Sequence, residues 1–182
     1  MLENLRPQAT AHYSKPSKFE KCDIKALDAS VAASGGKIRI THRLHFAIDI
    51  FLLKSDQYKI TTQKIGESST NFVVKATDLF LGDRAYGTKP GMEHCLANEG
   101  NFIFRIRKNA FDVYDKKGNK MDLIEKLKGI KNDKTLRLRC FFLSSANNLM
   151  PIRICAMVKP KDVVEDPEND ADFMNSFIVL VT

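Results

Sequence analysis

Several common catalytic motifs are missing from this chain of 182 residues. It has no Walker loop, no Gly-x-Ser-x-Gly elbow and no His-Glu-x-x-His motif, which removes the simplest nucleotide-binding, serine-hydrolase and zinc-protease interpretations. No two of its four cysteines form a Cys-x-x-Cys pair, and their spacing matches no zinc pattern. We therefore expect reduced, mostly buried thiols, as is usual in the cytoplasm.

Long apolar runs are also missing, so we expect no membrane insertion. The composition is that of a globular protein, with 43% hydrophobic and 28% charged residues, and the length fits one domain or one domain with an insertion. Lys and Arg number 29 against 22 Asp and Glu, a formal net charge of +7. Such a balance favours polyanionic partners, although a merely solubilising surface is the alternative.

The hydrophobic pattern predicts strands more often than helices. Three consecutive strands are expected within residues 22–62, a fourth and buried one at 79–82 with helices on both sides, and a fifth at 101–107. A helix is expected at 90–98, between Pro90 and Gly100. Residues 110–175 carry hairpin and antiparallel patterns and are interpreted as a β-rich insertion, and residues 1–21 as a polar linker or tail.

Two aspartates follow apolar strand patterns directly. Asp28 ends the run that contains Leu27, and Asp83 follows Gly82 at the end of the fourth strand. If these strands are neighbours in a mixed sheet, both carboxylates reach one hydrated cation, and such sites act on phosphodiesters. The alternative is that both residues are ordinary turn formers or helix N-caps.

The chain resembles the catalytic domain of insertion-sequence transposases of the DDE, RNase H-like superfamily, cut-and-paste type with a β-rich insertion. The resemblance covers about residues 22–182 and rests on the Asp28 strand, 43–49 (RLHFAID), 81–87 (LGDRAYG), 100–109 (GNFIFRIRKN) and 177–182 (FIVLVT). It implies an α/β fold, an RNase H-like mixed sheet flanked by helices. Residues 22–109 would be part of the catalytic core, and 176–182 the strand that leads to the catalytic helix.

The resemblance also implies an activity, namely DNA transposition by hydrolytic nicking and strand transfer on double-stranded DNA. Asp28 and Asp83 would be the catalytic, metal-binding acids, with Mg²⁺ as cofactor and Mn²⁺ as a substitute. The family's third acid, a glutamate, follows the strand that ends here at Thr182, so we expect a fragment without it and with little activity. A homodimer in a synaptic complex, in a prokaryotic cytoplasm near the nucleoid, would be the setting.

Five further residues are candidate DNA contacts: Arg84, Tyr86, Arg105, Arg107 and Lys108. Arginine suits bidentate contact with phosphate, whereas a salt-bridged turn or a solvated strand edge is the alternative. Gly66-Glu67 resembles a further family element, without a catalytic role assigned to it. Two other functions stay open, a non-catalytic DNA-binding remnant and a metal-dependent nuclease completed by a partner chain.

Overall fold

A computed structural model describes residues 15–33, 41–107, 109–130, 135–159 and 177–182. Lys108, most of the 1–21 tail and parts of the 110–175 region lie outside the described residues. The strands are β1 (Asp23–Ala33), β2 (Thr41–Asp49), β3 (Lys54–Thr62), β4 (Asp78–Gly82), β5 (Asn101–Arg105), β6 (Val113–Tyr114), β7 (Lys120–Met121), β8 (Thr135–Leu143), β9 (Leu149–Val158) and β10 (Phe177–Val181). The α-helices are α1 (Lys89–Ala97) and α2 (Leu123–Lys128).

All ten strands form one mixed sheet in the order β3-β2-β1-β4-β5-β10-β9-β8-β6-β7. β4 is parallel to both of its neighbours, β1 and β5, and the remaining pairs are antiparallel. Parallel neighbours require a crossover, which α1 supplies between β4 and β5. The chain reaches β4 from β1 through the β2–β3 hairpin and the loop 63–77.

The expected α/β class, an RNase H-like sheet flanked by helices, is wrong. Strands dominate the described residues, and only two α-helices accompany the ten-stranded sheet. Seven of the nine neighbouring strand pairs are antiparallel, and antiparallel pairs need no crossover helix. The buried pattern of β4 indicated helices on both sides, but a continuous apolar run reports burial without saying what covers it.

Neither helix is long and apolar enough to cross a membrane.

Side chains alternate between two faces of the sheet, which we call the core face and the open face. The core face is apolar and buried, and it packs against Met92 and Cys95 of α1 and Leu127 of α2. Its strand residues include Leu27, Phe80, Phe102, Phe104, Phe142, Ile152, Ile154, Val179 and Val181. Both helices therefore lie on one side of the sheet. Most charged residues of these strands emerge on the other side, whereas Lys25 and Asp78 share the core face with Leu27 and Phe80.

Local signals placed the short elements well. The helix expected at 90–98 is confirmed as α1, whose N-cap Thr88 accepts a hydrogen bond from the Gly91 amide. The hairpin of β6 and β7 lies within the region where hairpin patterns were predicted. The four cysteines are free, and Cys95 and Cys140 are buried.

A buried ion-pair cluster joins β1, β3 and β4. Lys25 Nζ lies 2.8 Å from Asp56 Oδ2 and 2.6 Å from Asp78 Oδ1, with Lys25 and Asp78 only 3% and 0% exposed. Burial alone would lower the pKa of Lys25, but its hydrogen bonds to Asp56 and Asp78 outweigh that and raise it. The same contact with Lys25 lowers the pKa of Asp56. The cluster holds the start of β4 against β1.

Replacing Lys25 with methionine should lower the free energy of unfolding by about 3–5 kcal/mol, because it leaves the Asp78 carboxylate unpaired in the core. Chemical denaturation followed by circular dichroism measures the loss. The control, Lys15→Met, removes the more exposed pair of Lys15 with Asp23 (3.7 Å) and should cost less than about 1 kcal/mol. Equal losses in the two variants would contradict a special role for the buried cluster.

Candidate functional site

The pairing of β1 with β4 brings the two predicted acids together. These strands are parallel neighbours, and their last paired residues are Ala26 and Leu81. Two residues further along the same register, Asp28 comes level with Asp83, just after β4 ends at Gly82. Because neighbouring strands lie about 4.8 Å apart, the two carboxylates leave the sheet side by side.

Both carboxylates are exposed, and one oxygen of each accepts a hydrogen bond from the backbone that follows it. Asp28 Oδ1 accepts a hydrogen bond from the Ala29 amide at 2.8 Å, and Asp83 Oδ1 accepts one from the Ala85 amide, also at 2.8 Å. The Asp83 bond reaches the amide two residues on and matches the turn-forming alternative. Asp28 lies inside β1 and forms no turn, so the strand end predicted there is wrong. Each bond fixes the orientation of its carboxylate. Within the described ranges, Oδ2 of each aspartate has no protein donor, so one oxygen of each is free to bind a cation.

The hydroxyl of Tyr86 lies close to these acids. Tyr86 is 1% exposed, and its hydroxyl has no hydrogen-bond partner among the described residues. Burial raises the pKa of Tyr86, and the negative charges of Glu67, Asp28 and Asp83 raise it further. A buried hydroxyl without a protein partner is uncommon. Here it is a neutral donor within electrostatic reach of three carboxylates.

Glu67 is the residue to which sequence reasoning assigned no role. It is half-buried in the loop 63–77, and two side chains hold the backbone just before it. Arg43 Nη1 donates to the Ile65 carbonyl at 3.1 Å, and Asn71 Nδ2 donates to the Gly66 carbonyl at 3.0 Å. The resemblance of Gly66-Glu67 to a family element was the only sequence signal for a role of this residue. The position of Glu67 near Tyr86 becomes visible only in the folded loop.

Magnesium fits the two aspartates in a limited way. No three His, Cys, Asp or Glu side chains in the described part of the chain converge closely enough to hold a metal ion. Two neighbouring carboxylates with free oxygens remain, and Mg²⁺ is often held by one or two carboxylates while it keeps several waters. The donor set therefore suits one hydrated cation and not the two ions of a complete phosphoryl-transfer site.

Three arginines gather beside Asp83. Arg84 follows it in the chain, and the pairing of Gly82 with Phe104 brings Asp83 level with Arg105 of β5. Burial lowers the pKa of Arg84, the positive charges of Arg105 and Arg107 lower it further, and Asp83 opposes them. The Nε atoms of Arg84 and Arg105 are buried and have no acceptor among the described residues. The cluster thus has donors available for an anion.

Tyr86 is not available for the direct DNA contact that the sequence analysis assigned to it, because its side chain is buried. Its ring packs over Gly82 on the core face, 6.3 Å from the ring of Phe104 between centroids. A β-carbon on Gly82 would lie 2.6 Å from Tyr86 Cβ and 2.9 Å from Phe104 Cδ1. The missing side chain of Gly82 therefore leaves the space that the Tyr86 ring occupies.

Neither a scan against models of known protein families nor a search of curated proteins finds a match for this chain.

The variant Gly82→Ala should displace Tyr86 and lower the free energy of unfolding by about 1–3 kcal/mol, because the added methyl group overpacks a close contact. Gly66→Ala is the matched control, since a β-carbon there meets nothing within 4 Å. Thermal unfolding and the ultraviolet spectrum of the tyrosine measure both effects. If Gly82→Ala were as stable as Gly66→Ala, the close packing of Tyr86 on Gly82 would be refuted.

Proposed function

We propose that this chain carries the metal-binding part of a DNA transposase, with Asp28 and Asp83 as the ligands of a magnesium ion. The observation that carries the proposal is the register of β1 and β4, which brings Asp28, inside β1, level with Asp83, just after the end of β4. The arginines next to Asp83 and the net charge of +7 favour a polyanionic substrate. The resemblance of 81–87 and 100–109 to DDE transposases supplies the reaction class.

In this proposal, different residues of the chain bind the cation, orient the phosphodiester and position the ligands. Asp28 and Asp83 bind the cation through their free oxygens, and Arg84, Arg105 and Arg107 orient the phosphodiester through charge-assisted hydrogen bonds. When bound, a magnesium ion supplies Lewis-acid stabilisation of charge on the phosphoryl group and lowers the pKa of a water or hydroxyl ligand. Tyr86 acts as a positioning residue, because its raised pKa keeps its hydroxyl protonated and able to donate to a carboxylate.

The proposed substrate is double-stranded DNA, both the element ends and the target. The reaction is hydrolytic nicking followed by attack of the freed 3′-hydroxyl on the target strand. A homodimer in a synaptic complex and a cytoplasmic, nucleoid-associated location belong to the same proposal, because such an enzyme works where its DNA lies. By the resemblance, such a site uses a glutamate as its third acid, so two aspartates alone should bind the ion weakly.

One observation favours two further candidates. No third metal-ligating side chain converges on the two aspartates within the described residues. A DNA-binding module without catalysis needs none, and a nuclease completed by a partner chain would receive its last ligand from outside. Metal affinity and cleavage separate these candidates.

Isothermal titration of Mn²⁺ should reveal one weak site that Asp83→Ala weakens at least about tenfold, since even indirect partners of a metal change its affinity about 10–100-fold. Asp112→Ala is the control, because it removes an exposed carboxylate that pairs with Lys120. Equal Mn²⁺ affinity in wild type and Asp83→Ala would rule out the aspartate site.

A nicking assay on supercoiled DNA tests the activity of this chain alone. We expect little or no relaxed product with Mg²⁺ or Mn²⁺, because two carboxylates hold the two-ion arrangement poorly. Efficient nicking that disappears in Asp83→Ala would contradict this expectation and favour a nuclease. Nicking that persists in Asp83→Ala would point to a contaminating enzyme or to another site.

A further inference from the structure

A transverse row of side chains runs across the open face of the sheet, starting at the two acids. Asp83 is level with Arg105, and Arg105 pairs with Leu180 of β10. Leu180 pairs with Cys155 of β9, which pairs with Arg137 of β8. The row therefore links the proposed metal site to a strand of the region 110–175.

The neighbouring row adds two more arginines. Arg139 of β8 and Arg153 of β9 are directly opposite each other, and Arg153 exchanges backbone hydrogen bonds of 2.6 and 2.9 Å with Thr182. Both arginines are exposed, and with Asn101 and Thr182 they line a shallow cleft of about 490 Å³. Their chain neighbours Cys140 and Ile152 are buried on the core face, so both guanidinium groups emerge on the open face.

Like charges placed directly opposite on adjacent strands destabilise a sheet. Neither Arg139 nor Arg153, nor Arg137 beside them, forms an ion pair with an acid in the described ranges. The fold thus tolerates a repulsive cluster on an exposed surface. A bound anion would remove that repulsion, and guanidinium groups match phosphate oxygens in shape and charge.

The span from Asp83 to Arg137 across the sheet is long enough to follow several base pairs of a duplex. From β4 to β8 the sheet order gives four intervals, which at about 4.8 Å each span about 19 Å. That length corresponds to about six base pairs at a rise of about 3.4 Å per pair. We use the name arginine face for Arg105, Arg107, Arg137, Arg139 and Arg153, which all lie on this side of the sheet.

We propose that the arginine face binds the phosphate backbone of double-stranded DNA on one side of the bond held at Asp28 and Asp83. The inference rests on the proposed function for the choice of DNA as the polyanion. It gives Arg137, Arg139 and Arg153 a role that their sequence context does not suggest. Their contacts hold the duplex in register without selecting bases, because phosphate contacts carry no direct sequence information.

Fluorescence anisotropy with a labelled 24-base-pair duplex tests the proposal, at several salt concentrations and in EDTA so that no metal contributes. The variant Arg137→Gln/Arg139→Gln/Arg153→Gln should bind at least about tenfold more weakly, and its slope of log affinity against log salt should fall by about 2.7, or about 0.9 per lost contact. The control is Lys54→Gln/Lys59→Gln/Lys64→Gln, which removes the same charge at the β3 edge of the sheet.

If the arginine and lysine variants lost DNA affinity equally, net charge alone would explain binding and the proposal would be overturned. The proposal would also be overturned if the arginine variant bound DNA as tightly as the wild type. Stronger binding of a matched RNA duplex would overturn the choice of DNA. If the triple variant fails to fold, Arg139→Gln and Arg153→Gln replace it, each with an expected slope change of about 0.9. Mn²⁺ titration of the arginine variant keeps the two proposals apart, because the aspartate site should bind the ion unchanged.

Discussion

The parallel pairing of β1 with β4 is the constraint on which the candidate site depends. Only four residue pairs make this ladder, from Asp23 with Asp78 to Ala26 with Leu81. A slip of one residue would move Asp28 off the level of Asp83 and exchange the faces of every side chain in the strand. The buried contact of Lys25 with Asp78 lies at the other end of the same ladder. Buried ion pairs can specify register, so this contact helps to keep the two exposed acids together.

The sequence predicted those parts of the molecule that local patterns determine. The strand end before Asp83, the helix between Pro90 and Gly100, and the short hairpin after Val113 follow from apolar periodicity and from turn and capping residues. The strand end predicted at Asp28 was wrong, because β1 continues to Ala33 as it pairs with β2. The sequence also predicted that Asp28 and Asp83 lie close together, because this requires only that their strands be neighbours. The roles of the two aspartates and of Arg84, Arg105 and Arg107 are still predictions.

The sequence could not predict which elements cover which face. Phe80 and Leu79 are both buried, and that pattern is the same whether helices or other chain segments provide the cover. The fold class was wrong for this reason. Glu67 and the facing pair Arg139 and Arg153 were missed for a related reason. The position of Glu67 depends on how its loop folds, and that of the arginines depends on the register between two strands.

The two faces of the sheet separate stability from binding. The core face buries its apolar side chains with α1 and α2, and Tyr86 lies there within electrostatic reach of the acids. The open face carries carboxylates at β1 and β4 and guanidinium groups from β5 to β8. Under the proposed function, a phosphodiester on this face would meet a cation at one end and arginines along its length, so its attraction to the protein would not require the metal.

β10 is what makes these two regions one surface. It pairs with β5 on one side and with β9 on the other, so the strands of the region 110–175 continue the sheet that carries the acids. Arg105 and Arg137 therefore keep a fixed separation, because a sheet transmits position through its hydrogen-bonded ladder. A flexibly attached basic segment could raise the local concentration of DNA, but it could not fix the position of one phosphodiester bond relative to the aspartates. A continuous sheet can do both.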